Sequence, residues 1–194
     1  MKFEIFKFRD VTSTNDIAIS LIKKKNKKSG CVYADKQTKG RGTYGKVWIS
    51  ERGNFFATIF FKLKKNYPPI KEFNIINQIL ISNVVKKICK KNKIQIKLPN
   101  DIFLNKKKIC GILQEIITLK KEKFLIVGIG INIISNPNVN RNYNITNIYA
   151  ETNKKPDINR LIDSIITSYK RFFFNLKSYN YLNLKFKVND MILS

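Results

Sequence analysis

The chain has 194 residues, of which 43% are hydrophobic and 12% aromatic, enough to fill the core of one folded domain. It contains no histidine, which excludes Ser-His-Asp and Cys-His nucleophile systems, histidine-ligated metals and histidine general bases. The three cysteines are far apart and cannot form a zinc site alone, and such cysteine usage fits a reducing compartment. Without a signal peptide or a spanning apolar run, we expect a soluble cytoplasmic protein without membrane contact.

The formal net charge of +25 suggests a polyanionic partner, but the residue usage favours a simpler interpretation. Lys occurs 32 times, Asn 23 times and Ile 31 times, and all three residues have A/T-rich codons. Arg, which recognises phosphate and guanine through its planar fork, occurs six times. We therefore favour a solvated surface and codon bias over nucleic-acid binding, and we expect no DNA partner.

The first half of the chain predicts strands around one helix and one glycine-rich loop. A helix follows Thr12, and Ser13 with Asp16 resembles a capping box at its start. The other predicted elements are an edge strand over 3–8, a strand over 31–35, a Gly- and Lys-rich loop over 36–47 and a buried strand over 54–63.

The second half predicts a helix, a group of strands with short connections, and a last helix. Hairpin-length turns predict antiparallel neighbours. The elements are a helix over 75–88, strands over 93–97, 102–104, 108–118 and 123–134, an exposed loop over 135–153, and a helix over 158–173 opened by Pro156-Asp157. With no repeat and no linker, we expect one α+β domain over 1–194, with a central mixed, largely antiparallel sheet flanked by helices.

The segment Gly40-Arg41-Gly42-Thr43-Tyr44-Gly45 matches G-x-G-x-x-G, but a dinucleotide site needs a helix to open at that loop. Here a strand follows, so we reject that interpretation. Glycines let backbone N–H groups approach an anion, and Arg41 can bind phosphate or carboxylate. On the loop alone, a solvated basic turn is about as plausible.

Two further segments have unusual patterns for strands. Lys97-Leu98-Pro99-Asn100-Asp101 precedes Lys108-Ile109-Cys110-Gly111, which would place an ammonium where a backbone passes closely. In Gly128-Ile129-Gly130-Ile131-Asn132, two glycines interrupt a strong strand, which suggests close packing of a backbone or a ligand. Taken singly, a turn and a bulge explain them as well.

Together these segments resemble the catalytic domain of biotin–protein ligases, the biotin–[acetyl-CoA-carboxylase] ligases, in order and in spacing. The ordered motifs are Ser13-Thr14-Asn15, Gln37 to Trp48, Lys97 to Asp101, Lys108-x-x-Gly111-Ile112-Leu113 and Gly128 to Asn132. The resemblance implies a fold like that of class II aminoacyl-tRNA synthetases. It also implies ATP-dependent activation of biotin to biotinyl-5′-AMP, with Mg²⁺ carried by ATP and no metal site of the protein, and transfer of biotin to a lysine of a biotin carboxyl carrier domain.

The resemblance also implies roles for individual residues. Lys108 would contact the biotin carboxylate and the reacting phosphate, Arg41 would lie near both anions, and Asp101 is the candidate to orient or deprotonate the acceptor lysine. A turn-capping role for Asp101 is nearly as plausible. The biotin-binding residues would be Ser13, Thr14, Asn15, Gln37, Gly40, Arg41, Gly42, Thr43, Lys108 and Gly111. The adenylate- or ATP-binding residues would be Arg41, Trp48, Asn100, Lys108 and Asn132.

The chain departs from the family pattern at two motif positions. Thr43 stands where the family loop usually carries Arg, which helps to retain the adenylate, and Leu98 stands where Trp is usual. We also expect neither an N-terminal DNA-binding domain nor the small C-terminal β-barrel of longer relatives, which would begin after about residue 183.

Three other functions remain open on the sequence alone. One is the related lipoate- or octanoate-protein ligase group, against which the Gly-Arg-Gly loop and the Pro-Asn-Asp turn argue. The others are a basic nucleic-acid-binding protein and a non-catalytic biotin-binding module. Relatives often dimerise through sheet edges, so a homodimer is one expectation; the acceptor protein stays unnamed.

Overall fold

The computed structural model describes residues 1–137 and 143–193 as seven strands and five α-helices. The strands are β1 (Glu4–Val11), β2 (Ser29–Gln37), β3 (Phe55–Lys62), β4 (Ile94–Lys97), β5 (Asp101–Leu104), β6 (Lys107–Leu119) and β7 (Glu122–Ile131). The helices are α1 (Thr14–Lys25), α2 (Phe73–Ile88), α3 (Ile148–Thr152), α4 (Ile158–Phe174) and α5 (Tyr181–Asn189).

The strands form one mixed sheet in the order β1-β2-β3-β7-β6-β5-β4. The β1–β2 pair is parallel, whereas β2–β3, β3–β7, β4–β5 and β5–β6 are antiparallel. This confirms the predicted fold class of a largely antiparallel sheet flanked by helices. Contacts divide the chain into two units, Met1–Tyr67 with Ile112–Ile131 and Pro68–Gly111 with Asn132–Ser194. The prediction of a single domain without flanking modules stays a prediction.

The first unit is built around β3, whose residues from Phe55 to Phe61 are all buried because both faces of the strand are covered. Helix α1 packs against β2, β3 and β7. Its apolar contacts with the sheet form one cluster of buried side chains: Ala18, Ile22, Val32, Phe60, Phe124 and Ile126. This packing fixes the start of α1 against β3 and β7.

The second unit is built around α2, which packs against β4, β5, α4 and α5. Ile79 of α2, Ile96 of β4 and Val188 of α5 form a buried cluster. Helix α4 begins as predicted, because Asp157 accepts a capping hydrogen bond from the Arg160 N–H at 2.8 Å. The sequence pattern therefore predicted both the start of α4 and its apolar face correctly.

The two hairpin turns place non-glycine residues in the left-handed region. Asn105 and Lys106 join β5 to β6 with φ of 50° and 63°, and Lys120 and Lys121 join β6 to β7 with φ of 47° and 66°. Two central residues with positive φ match the twist of the flanking strands. The predicted hairpin connections are thus confirmed, although Asn-Gly would be the commoner sequence.

One prediction about the second unit is wrong, and one of its helices was missed. The stretch 135–153 was expected to be an exposed loop, but Thr146, Asn147 and Ile148 are buried and α3 begins at Ile148. Residues 138–142 lie outside the described residues. Helix α5 was not predicted, because its apolar residues lack a clear helical stripe. Across the described ranges, no helix combines the length and apolar character needed to cross a bilayer.

Candidate active site

In the first unit, the start of α1 is buried although it is polar. Ser13, Thr14 and Asn15 are each 3% exposed. Ser13 is the N-cap residue with extended backbone, but its side chain makes no capping hydrogen bond. The predicted capping box is therefore wrong, and Asp16 bonds elsewhere. Buried polar groups need partners, so the contacts of these residues define the cluster.

Gln37, the last residue of β2, caps α1 in place of Ser13. Its Oε1 accepts from the Thr14 backbone N–H at 2.8 Å and from Thr14 Oγ1 at 3.0 Å. Its Nε2 donates to Ser50 Oγ at 2.9 Å, and Ser50 Oγ donates to the Trp48 carbonyl at 2.9 Å. The amide of Gln37 therefore joins the helix start to the segment that ends the glycine-rich loop.

Asn15 is held at both ends of its side-chain amide. Its Oδ1 lies 2.6 Å from Thr58 Oγ1, and its Nδ2 donates to Glu115 Oε2 at 2.6 Å. Thr58 is fully buried on β3, and Glu115 lies on β6. Sequence reasoning missed both residues, because a threonine in a buried strand and a glutamate in a long strand carry no distinctive spacing.

The glycine-rich loop folds as a short hairpin that Arg41 ties to neighbouring acids. Gly42 N–H donates to the Lys46 carbonyl at 2.6 Å, and Trp48 N–H donates to the Gly40 carbonyl at 2.9 Å. Arg41 forms ion pairs with Asp16 and with Glu115, the latter at 2.8 Å. Partial burial lowers the pKa of Arg41, but the hydrogen bonds that it donates to Asp16 and Glu115 outweigh this effect, and the net pKa is raised.

The turn at the tip of this hairpin, Thr43–Gly45, is partly or fully exposed. Tyr44 is 87% exposed and adopts a left-handed backbone with φ of 56°, followed by Gly45 at φ of 71°. Thr43 precedes them in the same turn and is half-buried. The loop continues toward β3 rather than into a helix, which confirms the rejection of a dinucleotide fingerprint.

The two glycines of β7 make room for side chains of the same cluster. A Cβ at Gly128 would lie 2.5 Å from Asn15 Oδ1, and a Cβ at Gly130 would lie 2.7 Å from Cζ2 of the Trp48 indole. Both distances are too short for real atoms. The expected close approach is therefore present, but side chains of the protein occupy the space rather than another backbone.

In the second unit, Lys108 and Asp101 form an ion pair between β6 and β5. The Nζ to Oδ1 distance is 2.7 Å, and the two side chains are 12% and 14% exposed. A register shift between Ile102 and Phe103 lies beside them. A bulge of this kind redirects a side chain. The Asp101 carboxylate therefore has a cationic partner, while its proposed role with the acceptor lysine and the turn-capping alternative both stay predictions.

Tyr143 covers the ammonium groups of two lysines in this cluster. Its ring centroid lies 5.2 Å from Lys108 Nζ and 5.7 Å from Lys97 Nζ. The backbone of Lys108 is also fixed, because its N–H donates to the Asn144 carbonyl at 2.8 Å and its carbonyl accepts from Thr146 N–H at 2.9 Å. Tyr143 was not predicted, since it lies in the Asn-rich stretch interpreted as a loop.

Three other predicted site residues lie in the second unit. Asn132 is 3% exposed; its N–H donates to the Ile109 carbonyl at 2.9 Å and its Nδ2 donates to the Thr146 carbonyl at 3.0 Å. Gly111 pairs with Asp101 in the β5–β6 register. Asn100 lies in the turn between β4 and β5, and Gln78 of α2 donates to the Lys97 carbonyl at 3.2 Å at one end of that turn.

Glu151 of α3 anchors the segment beside Lys108. Its carboxylate accepts from Thr146 Oγ1 and Asn105 Nδ2, both at 2.8 Å, and pairs with Lys107 Nζ at 3.1 Å. Burial raises the pKa of this carboxyl, but these hydrogen bonds and the Lys107 charge outweigh it and the net pKa is lowered. Among residues 1–137 and 143–193, no three His, Cys, Asp or Glu side chains are grouped so that they could hold a metal ion.

Comparison with known proteins identifies a domain family that covers most of the chain. The profile of the Biotin/lipoate A/B protein ligase family matches residues 6–132. The bifunctional ligase/repressor BirA of Bacillus subtilis is 35% identical over 135 residues, which are 68% of this chain and 41% of that protein. This chain thus spans about two fifths of the length of such curated relatives.

Two solved structures share the fold at 25% identity. The biotin protein ligase of Aquifex aeolicus, in complex with biotin and ATP, superposes with a TM-score of 0.79 over 98% of this chain and 78% of that one. The biotin protein ligase of Leishmania major, in complex with biotinyl-5-AMP, gives a TM-score of 0.82 over 100% of this chain and 83% of that one. With the profile match covering more than half of the sequence, the chain belongs to the Biotin/lipoate A/B protein ligase family.

Proposed function

We propose that this chain catalyses the ATP-dependent activation of biotin to biotinyl-5′-AMP and the transfer of biotin to a lysine of a carrier domain. The observation that carries the proposal is the hydrogen-bonded cluster of Thr14, Asn15, Gln37 and Trp48, which contains the residues that the family resemblance assigns to biotin and the adenylate. The Aquifex and Leishmania proteins, of the same fold, bind biotin with ATP and biotinyl-5-AMP.

The first cluster supports recognition of an uncharged polar ligand. A ureido group offers two N–H donors and one carbonyl acceptor, which match hydroxyl and amide side chains. Ser13 is buried at the start of α1, and its side chain is not used to cap the helix. The amides of Asn15 and Gln37 are fixed in orientation by their partners, so little ordering would be needed on binding.

The second cluster supports the chemical step. A biotin carboxylate oxygen attacks the α-phosphorus of ATP, a P–O bond forms, and the bond to pyrophosphate breaks. Two anions must approach each other for this, and Lys108 is the cation proposed to neutralise them. Asp101, 2.7 Å away, would hold the ammonium in place before the substrates arrive.

In the second step, the acceptor amine attacks the acyl carbon of the adenylate, AMP leaves, and the attacking nitrogen loses a proton. Asp101 is the residue that we propose to orient that amine or accept its proton. The resemblance to biotin–[acetyl-CoA-carboxylase] ligases makes a carboxyl carrier domain of that enzyme the proposed acceptor. We propose that Mg²⁺ enters as the MgATP complex, because Mg²⁺ prefers phosphate oxygens and water as ligands.

The test is pyrophosphate exchange into ATP with biotin, lipoate or octanoate supplied in turn. Exchange that depends on biotin alone, followed by biotin transfer to a purified carboxyl carrier domain, would support the proposal. The Lys108→Ala variant should lose exchange while binding of biotin is partly retained. No exchange with any acid, together with measurable biotin binding, would leave a binding module instead of a ligase.

A second candidate is a lipoate- or octanoate-protein ligase, because the matched family includes both substrate classes. Exchange that depends on lipoate or octanoate rather than biotin would select this candidate. An aliphatic chain needs fewer polar partners than a ureido ring, so the density of buried polar groups at the start of α1 favours biotin.

A further inference from the structure

We infer that Glu115 is a positioning residue that holds the ligand-facing Asn15 and the glycine-rich loop together. The inference rests on the proposed function for its biotin-binding readout, and on the structure alone for its loop readout. Glu115 lies on β6, and its side chain is 31% exposed. Both of its oxygens are engaged by residues from two other segments of the first unit.

The contacts of Glu115 are few and short. Oε2 accepts from Asn15 Nδ2 at 2.6 Å and from Arg41 Nη2 at 2.8 Å, and Oε1 accepts from the same Arg41 nitrogen at 3.0 Å. A carboxylate accepts without donating, so it can serve an amide donor and a guanidinium donor at once. A glutamine has one acceptor oxygen and would turn an NH₂ group toward one of these partners.

The contact determines which way the Asn15 amide points. With Nδ2 donating to Glu115 and Oδ1 accepting from Thr58 Oγ1, the reversed amide would place two acceptors, Asn15 Oδ1 and Glu115 Oε2, against each other. Asn15 also packs directly against the backbone of Gly128, where an added Cβ would lie 2.5 Å from Oδ1, so the glycine lets the amide occupy this place. Glu115 therefore presents Asn15 in one orientation before any ligand binds.

The same carboxylate secures the loop. Arg41 also pairs with Asp16, which follows Asn15 in α1, so the guanidinium is held between two acids. Because both acids already neutralise Arg41, its main effect in this structure is to connect the loop to α1 and β6. Asp16 touches Arg41, whereas Glu115 touches both Arg41 and Asn15. This difference predicts that removing either acid frees the loop, and that removing Glu115 alone also disturbs the ligand.

The test compares Glu115→Gln, Asp16→Asn and a surface control, Glu4→Gln, whose acid pairs with Lys27 at 2.7 Å on the exposed face. The first readout is trypsin cleavage after Arg41, which follows the population of the open loop and needs no ligand. We expect both Glu115→Gln and Asp16→Asn to cleave at least about fivefold faster than wild type, and Glu4→Gln to be unchanged.

The second readout is the Kd for biotin by calorimetry. We expect about a tenfold increase for Glu115→Gln and less than about a twofold change for Asp16→Asn. Equal Kd changes in the two variants, or an unchanged cleavage rate in Glu115→Gln, would overturn the inference. If Glu115→Gln fails to fold by circular dichroism, Glu115→Asp replaces it, with the same expectations because its shorter carboxylate cannot reach both partners. If the wild type binds no biotin, the proposed function fails. The cleavage rates alone then test whether Glu115 holds the glycine-rich loop in place.

Discussion

Lys108 Nζ lies 2.7 Å from Asp101 Oδ1, and both side chains are largely shielded from solvent. In that environment the attraction between the two charges is screened less than at the surface, and either partner is costly to leave alone because it has lost its hydration. The pair therefore joins the proposed catalytic cation to the proposed proton acceptor. Substitutions at the two positions should separate the two half-reactions.

We expect Lys108→Ala to lower biotin-dependent pyrophosphate exchange at least about 100-fold, because the cation that neutralises two approaching anions is lost. We expect Asp101→Asn to keep exchange within about tenfold but to slow biotin transfer to the carrier domain further. Lys24→Ala, on the exposed end of α1, is the control. Equal losses of both half-reactions in Asp101→Asn would show that Asp101 acts only through Lys108.

The two glycines of β7 give a matched pair of substitutions. Gly130→Ala should displace the Trp48 indole and change the fluorescence of the chain's single tryptophan. Gly128→Ala should instead press on Asn15 and raise the biotin Kd by about tenfold, with little change in fluorescence. Each variant is the control for the other, and indistinguishable effects would contradict the separate contacts.

Thr43 offers a test of adenylate retention. An arginine at this position would add a cation to the loop that the family resemblance places over the intermediate, so Thr43→Arg should slow dissociation of biotinyl-5′-AMP by about fivefold or more. The measurement is release of labelled adenylate after removal of free substrates, with Thr43→Ser as the control. Unchanged dissociation would remove any retention role for this position.

Glu122 should contribute a pH-dependent part of the stability. Hydrogen bonds from Lys28, at 2.8 Å, and Lys62 lower the pKa of its carboxyl from 4.5 to about 2. A lowered pKa in the folded state stabilises the protein above the unfolded pKa, and this contribution is lost as the pH falls toward about 2.

Urea unfolding of wild type and Glu122→Gln checks this expectation. The wild type should be more stable at pH 7, and the difference should shrink between pH 5 and pH 2. Since the Glu122 side chain is partly exposed, at 30%, the difference should be small and should decrease with added salt. A difference independent of pH would show that charge at Glu122 has no part in it.

The sequence predicted the sheet class and most elements because their patterns are local. The apolar run from Phe55 to Phe61 predicted a buried strand, and the apolar stripe of α4 with its capping residue predicted a helix. Partners that act across the sheet left no such mark. Thr58 and Glu115 lie 43 and 100 positions from Asn15, and only the pairing of β3, β7 and β6 brings them to it.

Ser13 shows how a correct pattern gave a wrong contact. Ser13 and Asp16 have the spacing of a capping box, and Ser13 does occupy the N-cap position. Gln37, 23 residues from Thr14, supplies the capping oxygen instead, and Asp16 pairs with Arg41. Local spacing could place the helix start, but it could not reveal that a distant side chain competes for the same N–H groups.

Because Gln37 rather than Ser13 caps α1, ligand binding at the start of the helix has no capping bond to compete with. If the Ser13 hydroxyl capped its own helix, it would have to break that hydrogen bond each time it bound a ligand. The first turn of the helix would then lose its cap in every catalytic cycle. Here the capping oxygen comes from Gln37 at the end of β2, so α1 stays capped whether or not Ser13 binds a ligand. A ligand could therefore bind to Ser13 and leave it without disturbing the first turn of α1.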